Sequence, residues 1–324
     1  MDTISIIGNK RKMKITLYNF IILLFSIISA NAQEYSHFNL FSSEGDWGQS
    51  VANYGKYIIS VKDRLSSALL YDLEENKRVY RLFLTPHEER NGSTLIFHCN
   101  QCNFGSEKYD EQDMFPLLYI NQRNPTDSIG ALITAYRIVP KLDENDSVVS
   151  FSMDLIQSIY LPVMTDENCL GNPNMVIDTK KNVFYTYSRN NNRKASNYGK
   201  GMISKFKMPS LYKDGSIQEV VRLTDDDILD SFKCDFNMFN AQGGFYRKGK
   251  LYFVQGMPSK SPSNNYIYFR EINLKKKKQT RVVDMLALGF DKEPEGCWFY
   301  NGKVMISVVG KEFYELTSEM FKVK

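Results

Sequence analysis

The sequence predicts an all-β fold, a β-propeller of five units, with a two-sheet β-sandwich as the competing arrangement. Three observations predict it. After the first 32 residues no stretch repeats apolar residues at helical spacing; short apolar or alternating runs recur instead, each bounded by turn residues. Aromatic residues make up 13% of the chain, with Tyr 20 and Phe 21 against Trp 2, a bias that suits pleated surfaces. Finally, one phrase recurs along the whole chain: a polar residue, a short strand, a turn carrying Gly or Asn, and a second strand.

The phrase is clearest in four places. Gln49 to Lys56 leads into Tyr57-Ile58-Ile59, and Asn174 to Asn182 leads into Val183-Phe184-Tyr185. Gln242 to Lys250 leads into Leu251-Tyr252-Phe253, and Glu295 to Lys303 leads into Val304-Met305-Ile306. The Gly or Asn in each turn supplies the left-handed backbone that a tight hairpin needs. A fifth unit begins at His98-Cys99-Asn100, followed by an insertion, Gln101 to Phe115, and then the strand Pro116 to Ile120. Each hairpin precedes a third strand: Leu70 to Leu73, Ala135 to Ile138, Ile203 to Phe206, Phe269 to Ile272 and Phe313 to Leu316. That order matches the four-stranded blades of propellers. The last unit ends early, at Phe321, and Ser36 to Phe41 is expected to supply its outer strand, joining the two ends and covering the sheet edges.

Residues 1–32 read as a secretory signal peptide, with residues 33–324 as one propeller domain. Lys10, Arg11, Lys12 and Lys14 form a positive region, Ile15 to Ile28 is almost wholly apolar, and Ala30-Asn31-Ala32 is a small-x-small cleavage site. Cleavage between Ala32 and Gln33 places the mature chain in the periplasm or outside the cell. Met13 is an alternative start. The apolar run is shorter than the roughly 20 residues a membrane span needs, and no later stretch qualifies, so no transmembrane segment is expected. The segment carries four basic residues against Asp2, +3 of the chain's formal +4, which leaves +1. A near-neutral mature chain gives no electrostatic case for a nucleic-acid partner. The run Lys275 to Lys278 reads as a solvated hairpin turn, and Asp225 to Asp227 as a turn or helix start. Of five cysteines, Cys99 and Cys102 are three apart; a zinc site lacks a second ligand pair, a local disulfide is an alternative, and free buried thiols fit best.

The innermost strands of a propeller line its axis, and their starting residues rim one mouth. The repeat places Gln49, His98, Asn100, Asn174, Gln242 and Glu295 there, a convergence of polar groups suited to a ligand or to ordered water. His98, with Glu295 or Asp113, is the candidate acid–base set. Glu293 and Glu295 lie two apart, on one side of an extended chain. Glu107, Asp110, Glu111 and Asp113, in the insertion, suit Ca²⁺ if they reach over the mouth. No cofactor is otherwise indicated, and no GxSxG, HExxH, P-loop or dinucleotide pattern occurs. Trp47 and Trp298 are candidates for stacking on a sugar, with the core the simpler place for Trp298.

The units Ala241-Gln242-Gly243-Gly244 and Glu293-Pro294-Glu295-Gly296, each followed by an aromatic strand and a Gly turn, resemble the β-propeller of the phage receptor-binding and teichoic-acid biosynthesis protein C family. The likeness covers residues 235–310 by motif and the remainder by rhythm. It implies a glycan or cell-surface polymer as ligand. Three readings follow: a binding module for a saccharide or envelope ligand at the channel mouth, a propeller hydrolase or lyase, and a structural or interaction subunit with no small-molecule site.

Overall fold

The computed structural model describes residues 38–42, 48–62, 67–74, 79–84, 99–122, 131–171, 173–261, 265–310 and 312–323. The signal segment, Trp47 and His98 lie outside them. Among the described residues, the regular elements are β-strands apart from single 3₁₀ turns such as Asp225–Asp227 and Glu319–Phe321.

The chain opens with β1 (Phe38–Ser42). Unit one is the meander β2 (Gly48–Tyr54), β3 (Tyr57–Lys62), β4 (Ser67–Asp72) and β5 (Val79–Leu84). Unit two is β6 (Gln101–Phe104), β7 (Leu118–Gln122), β8 (Leu132–Leu142) and β9 (Val148–Tyr160). Unit three starts with β10 (Asn174–Asp178), β11 (Val183–Arg189) and β12 (Lys200–Lys207). It then makes an excursion, β13 (Tyr212–Lys213), β14 (Ser216–Ile217) and β15 (Val220–Arg222), before its outer strand β16 (Ile228–Asn237). Unit four is β17 (Ala241–Arg247), β18 (Lys250–Met257), β19 (Tyr266–Asn273) and β20 (Lys278–Asp284). Unit five is β21 (Pro294–Tyr300), β22 (Lys303–Val308) and β23 (Phe313–Leu316), completed by β1.

The first strands of successive units touch in a closed circuit, β2 to β6 to β10 to β17 to β21 and back to β2. This is a β-propeller and not a two-layer sandwich. The cores have the same cyclic order. Units one and two share Ile59, Val61, Leu70, Cys102, Ile120 and Phe151, and units two and three share Tyr119, Ile133, Met175 and Phe184. Val176, Tyr187, Leu251 and Phe253 fill the next cleft. Tyr252, Phe269, Cys297 and Ile306 fill the one after that. Val51, Ile58, Tyr71, Trp298 and Phe313 close the circle. Neighbouring residues on one strand serve opposite clefts, as Ile58 and Ile59 do, because side chains alternate across a strand. Both faces of each sheet are therefore buried, which is why the strands read as apolar runs and not as alternations.

Closure by the N-terminal strand occurs as expected. Phe38 pairs with Leu316 and Asn39 with Glu315, and the Phe38 ring lies 4.7 Å from that of Phe290. The predicted turns carry positive φ at Gly249 (81°), Gly302 (82°) and Asn182 (51°). Lys275 to Lys277 form the turn between β19 and β20. Two parallel contacts fall outside the repeat. Outer strands β5 and β9 pair through Leu82 and Phe151, and β15 of unit three pairs with β9 through Val220 and Ser158.

All five cysteines are free and buried. Burial pushes the thiols of Cys102 and Cys234 up to about 12. None should react with a thiol reagent at pH 8 in the folded protein, whereas all five should react once it is denatured; rapid native labelling of Cys99 or Cys102 would contradict this packing. The unfolded thiols ionise near 8.5 and the folded ones only much higher. Their contribution to stability is thus full below about pH 8.5 and is lost as the pH rises toward 12.

Candidate functional site at the axial mouth

Strand starts place the candidate residues at one end of the ring. Asn174 is the first residue of β10, Asn100 immediately precedes β6, and Gln49, Gln242 and Glu295 are each second in β2, β17 and β21. In those last three strands the register slips at the same point, between Gly48 and Ser50, Ala241 and Gly244, and Pro294 and Gly296. Each slip is a β-bulge containing the polar residue, a device that turns a side chain out of the ladder.

Two of these residues meet directly. Gln49 Nε2 donates to Glu295 Oε2 at 2.7 Å, tying unit one to unit five. Glu295 is buried. Its neighbour Glu293 is half-buried, and burial holds that carboxyl above the ordinary carboxylate range. Asn174 Nδ2 donates to the carbonyls of Ala241 at 2.8 Å and Gln242 at 3.4 Å, so Gln242 enters the network through its backbone. Asn100 Oδ1 and Asn174 Oδ1 are buried and accept no hydrogen bond from the described residues. The mouth therefore gathers acceptors: a carboxylate and two amide oxygens. Such a set suits a ligand that presents hydroxyl or amine donors.

Gln101 is the residue that sequence reasoning missed. The expected insertion began at Gln101, but Gln101–Phe104 is the inner strand itself and the insertion follows it. The Gln101 side chain crosses the ring. Its Nε2 donates to Gly244 O at 2.8 Å and to Cys102 O at 3.1 Å. Its Oε1 accepts from Gly244 N–H, and from Tyr187 OH at 3.3 Å. The strands of units four and five press against it: a Cβ on Gly243 would lie 2.9 Å from Gln101 Oε1 and 3.0 Å from Gly296 Cα. The amide thus ties the inner strand of unit two to that of unit four across the ring. The available signal was the pair Gly243-Gly244 opposite a strand-initial Gln, legible only once the ring order is known.

The acidic insertion is corrected in place. It leaves the far end of β6, the end opposite Asn100, so it does not reach over the mouth. Its carboxylates hold the fold: Asp113 forms a fork with Arg137, closing at 2.6 Å, and Glu107 accepts from Leu211 N–H at 3.0 Å. Asp113 is thereby engaged away from Glu295. Among the described residues no three His, Cys, Asp or Glu side chains converge on a metal position. His98 lies outside the described residues. Trp298 is in the core, 1% exposed, with its ring edge-on to Phe313 at 5.5 Å, so it presents no stacking surface. A pocket of about 190 Å³ lies on the outer side of unit two, bounded by Tyr109, Leu155, Ile217, Glu219 and Val220, remote from the axis.

The ring of sheets defines the class, a β-propeller with polar side chains at the starts of its inner strands. No family model matches the chain, and no curated protein matches it. Solved structures are similar to it at the level of overall shape. The PQQ-bound aldose sugar dehydrogenase from Streptomyces coelicolor is 10% identical over 86% of this chain and 96% of that one, with a TM-score of 0.43. Glutaminyl cyclase from Myxococcus xanthus is 8% identical over 86% and 92%, with a TM-score of 0.42. Virginiamycin B lyase from Staphylococcus aureus is 10% identical over 87% and 99%, with a TM-score of 0.38. Likeness this remote transfers no activity. No helix among the described residues is long and apolar enough to cross a membrane.

Proposed function

We propose that this chain is an exported five-bladed propeller that binds a saccharide or other hydroxyl-rich envelope ligand at the axial mouth. Five four-stranded units in cyclic contact support the blade count, and the signal-like segment at residues 1–32 supports export. The observation that carries the binding reading is the convergence of the strand-start residues Gln49, Asn100, Asn174 and Glu295 at one end of the ring, with the Gln49–Glu295 contact joining two units there.

The test combines export with binding. Protein recovered from outside the cytoplasm should begin at Gln33 and should bind members of a broad glycan array. Glu295→Gln, which keeps shape and removes charge, should weaken the best ligand roughly tenfold, the scale of a hydrogen bond to a charged group. An array with no binder, or a Glu295→Gln variant with unchanged affinity, overturns the mouth as the site.

A further inference from the structure

Arg189 ends β11 at the same face of the ring as the mouth. Asn174 pairs with Tyr187, and Arg189 stands two residues beyond on the same side of the strand, roughly 7 Å further out. It occupies the cleft between units three and four, above the Tyr187 hydroxyl that donates to Gln242 O at 2.7 Å.

Its guanidinium is held in a defined plane. The Cζ atom sits 4.2 Å from the centroid of the Phe239 ring. Phe239 is itself fixed, with Tyr198 at 5.4 Å and with Gly199 beneath it, where any Cβ would run into the ring. Nε donates to Asn191 Oδ1 at 2.7 Å, and among the described residues no hydrogen bond engages the two Nη groups. The ionisable side chains that influence it are the phenols of Tyr198 and Tyr266, and among the described residues no carboxylate pairs with it. Arg137 and Arg281, by contrast, pair with Asp113 and Glu271, while Arg270 is held by the amides of Gln255 and Gln279 and Arg247 stacks on Phe299, both away from the mouth. A desolvated cation is costly without a counter-charge. A planar fork held against an aromatic ring is also the geometry that receives a carboxylate or phosphate through two parallel hydrogen bonds.

We infer that Arg189 is a subsite for an anionic group, a carboxylate or a phosphate, carried by the saccharide bound at the mouth. The inference deepens the binding reading and rests on it for the saccharide, though not for the anion. Phe239 and Tyr198 would then flank the charged end of the ligand while the acceptors of the mouth take its hydroxyls.

The mature chain is titrated calorimetrically with glucose, glucuronate, glucose 6-phosphate and inorganic phosphate, alongside Arg189→Met and Arg189→Lys. At least one charged sugar should bind about tenfold more tightly than glucose. Whether glucuronate or glucose 6-phosphate gains more assigns the carboxylate or the phosphate. Arg189→Met should bring the charged sugars to within about twofold of glucose, with an unchanged thermal midpoint as the control for folding. Arg189→Lys, which keeps the charge and loses the fork, should fall between. Equal binding of charged and neutral sugars by the wild type, or a preference that survives Arg189→Met, overturns the subsite and leaves the saccharide reading standing. If no sugar binds but inorganic phosphate does so through Arg189, the saccharide reading falls and the subsite stands. Absence of any Arg189-dependent binding overturns the subsite.

Discussion

Trp298→Ala is expected to destabilise the protein by about 4 kcal/mol, the range for emptying a large aromatic site in a packed core. The indole is 1% exposed and joins Val51, Ile58, Tyr71, Met305 and Phe313 in the cleft between the last unit and the first. The thermal midpoint should drop on the order of 8 °C. Trp298→Phe should cost less than half as much, because the buried indole Nε1 makes no hydrogen bond that the phenyl ring would forfeit. Denaturant titration of both variants provides the comparison. A loss below about 1 kcal/mol for Trp298→Ala would place the indole outside the core and return it to consideration as a sugar-stacking surface.

Gln101→Ala should cost about 3 kcal/mol, more than its volume alone accounts for. Truncation leaves the N–H and the C=O of Gly244 without their partner, and each is buried in the ring. Gln101→Leu should be nearly as damaging despite filling similar space, since the orphaned backbone groups remain. Equality of the two variants separates hydrogen bonding from packing. A Leu variant as stable as the wild type would show that the axis needs bulk and not an amide.

The strands, their order and the closing role of residues 36–41 were legible because they depend on local pattern and on a repeat. Ile58 and Ile59, or Met175 and Val176, announce a strand buried on both sides without any knowledge of what lies beside it. Gln49, Gln242 and Glu295 were found by alignment of the repeat, and the shared bulge explains why a polar residue recurs there. The fifth unit was misread at Gln101 because β6 is only four residues long and its polar sequence Gln-Cys-Asn-Phe resembles a loop. Its role comes from Gly244, 143 residues away, a distance no local pattern spans. The acidic insertion was placed at the wrong end for a related reason. Composition reveals an insertion, but only the strand direction says which mouth it borders. Arg189 gave no signal at all, since its meaning lies in the absence of a partner.

The pairing of Phe38–Ser42 with Phe313–Leu316 bears on how the chain reaches this fold. Both partners of that ladder must be present before the ring can shut, and they stand almost the full length of the protein apart. That ladder closes a loop of nearly the whole chain, which raises the contact order and slows folding. Until then the last unit exposes an unpaired strand edge beside an apolar cleft. During that interval truncation at either end would be felt as aggregation before any loss of binding.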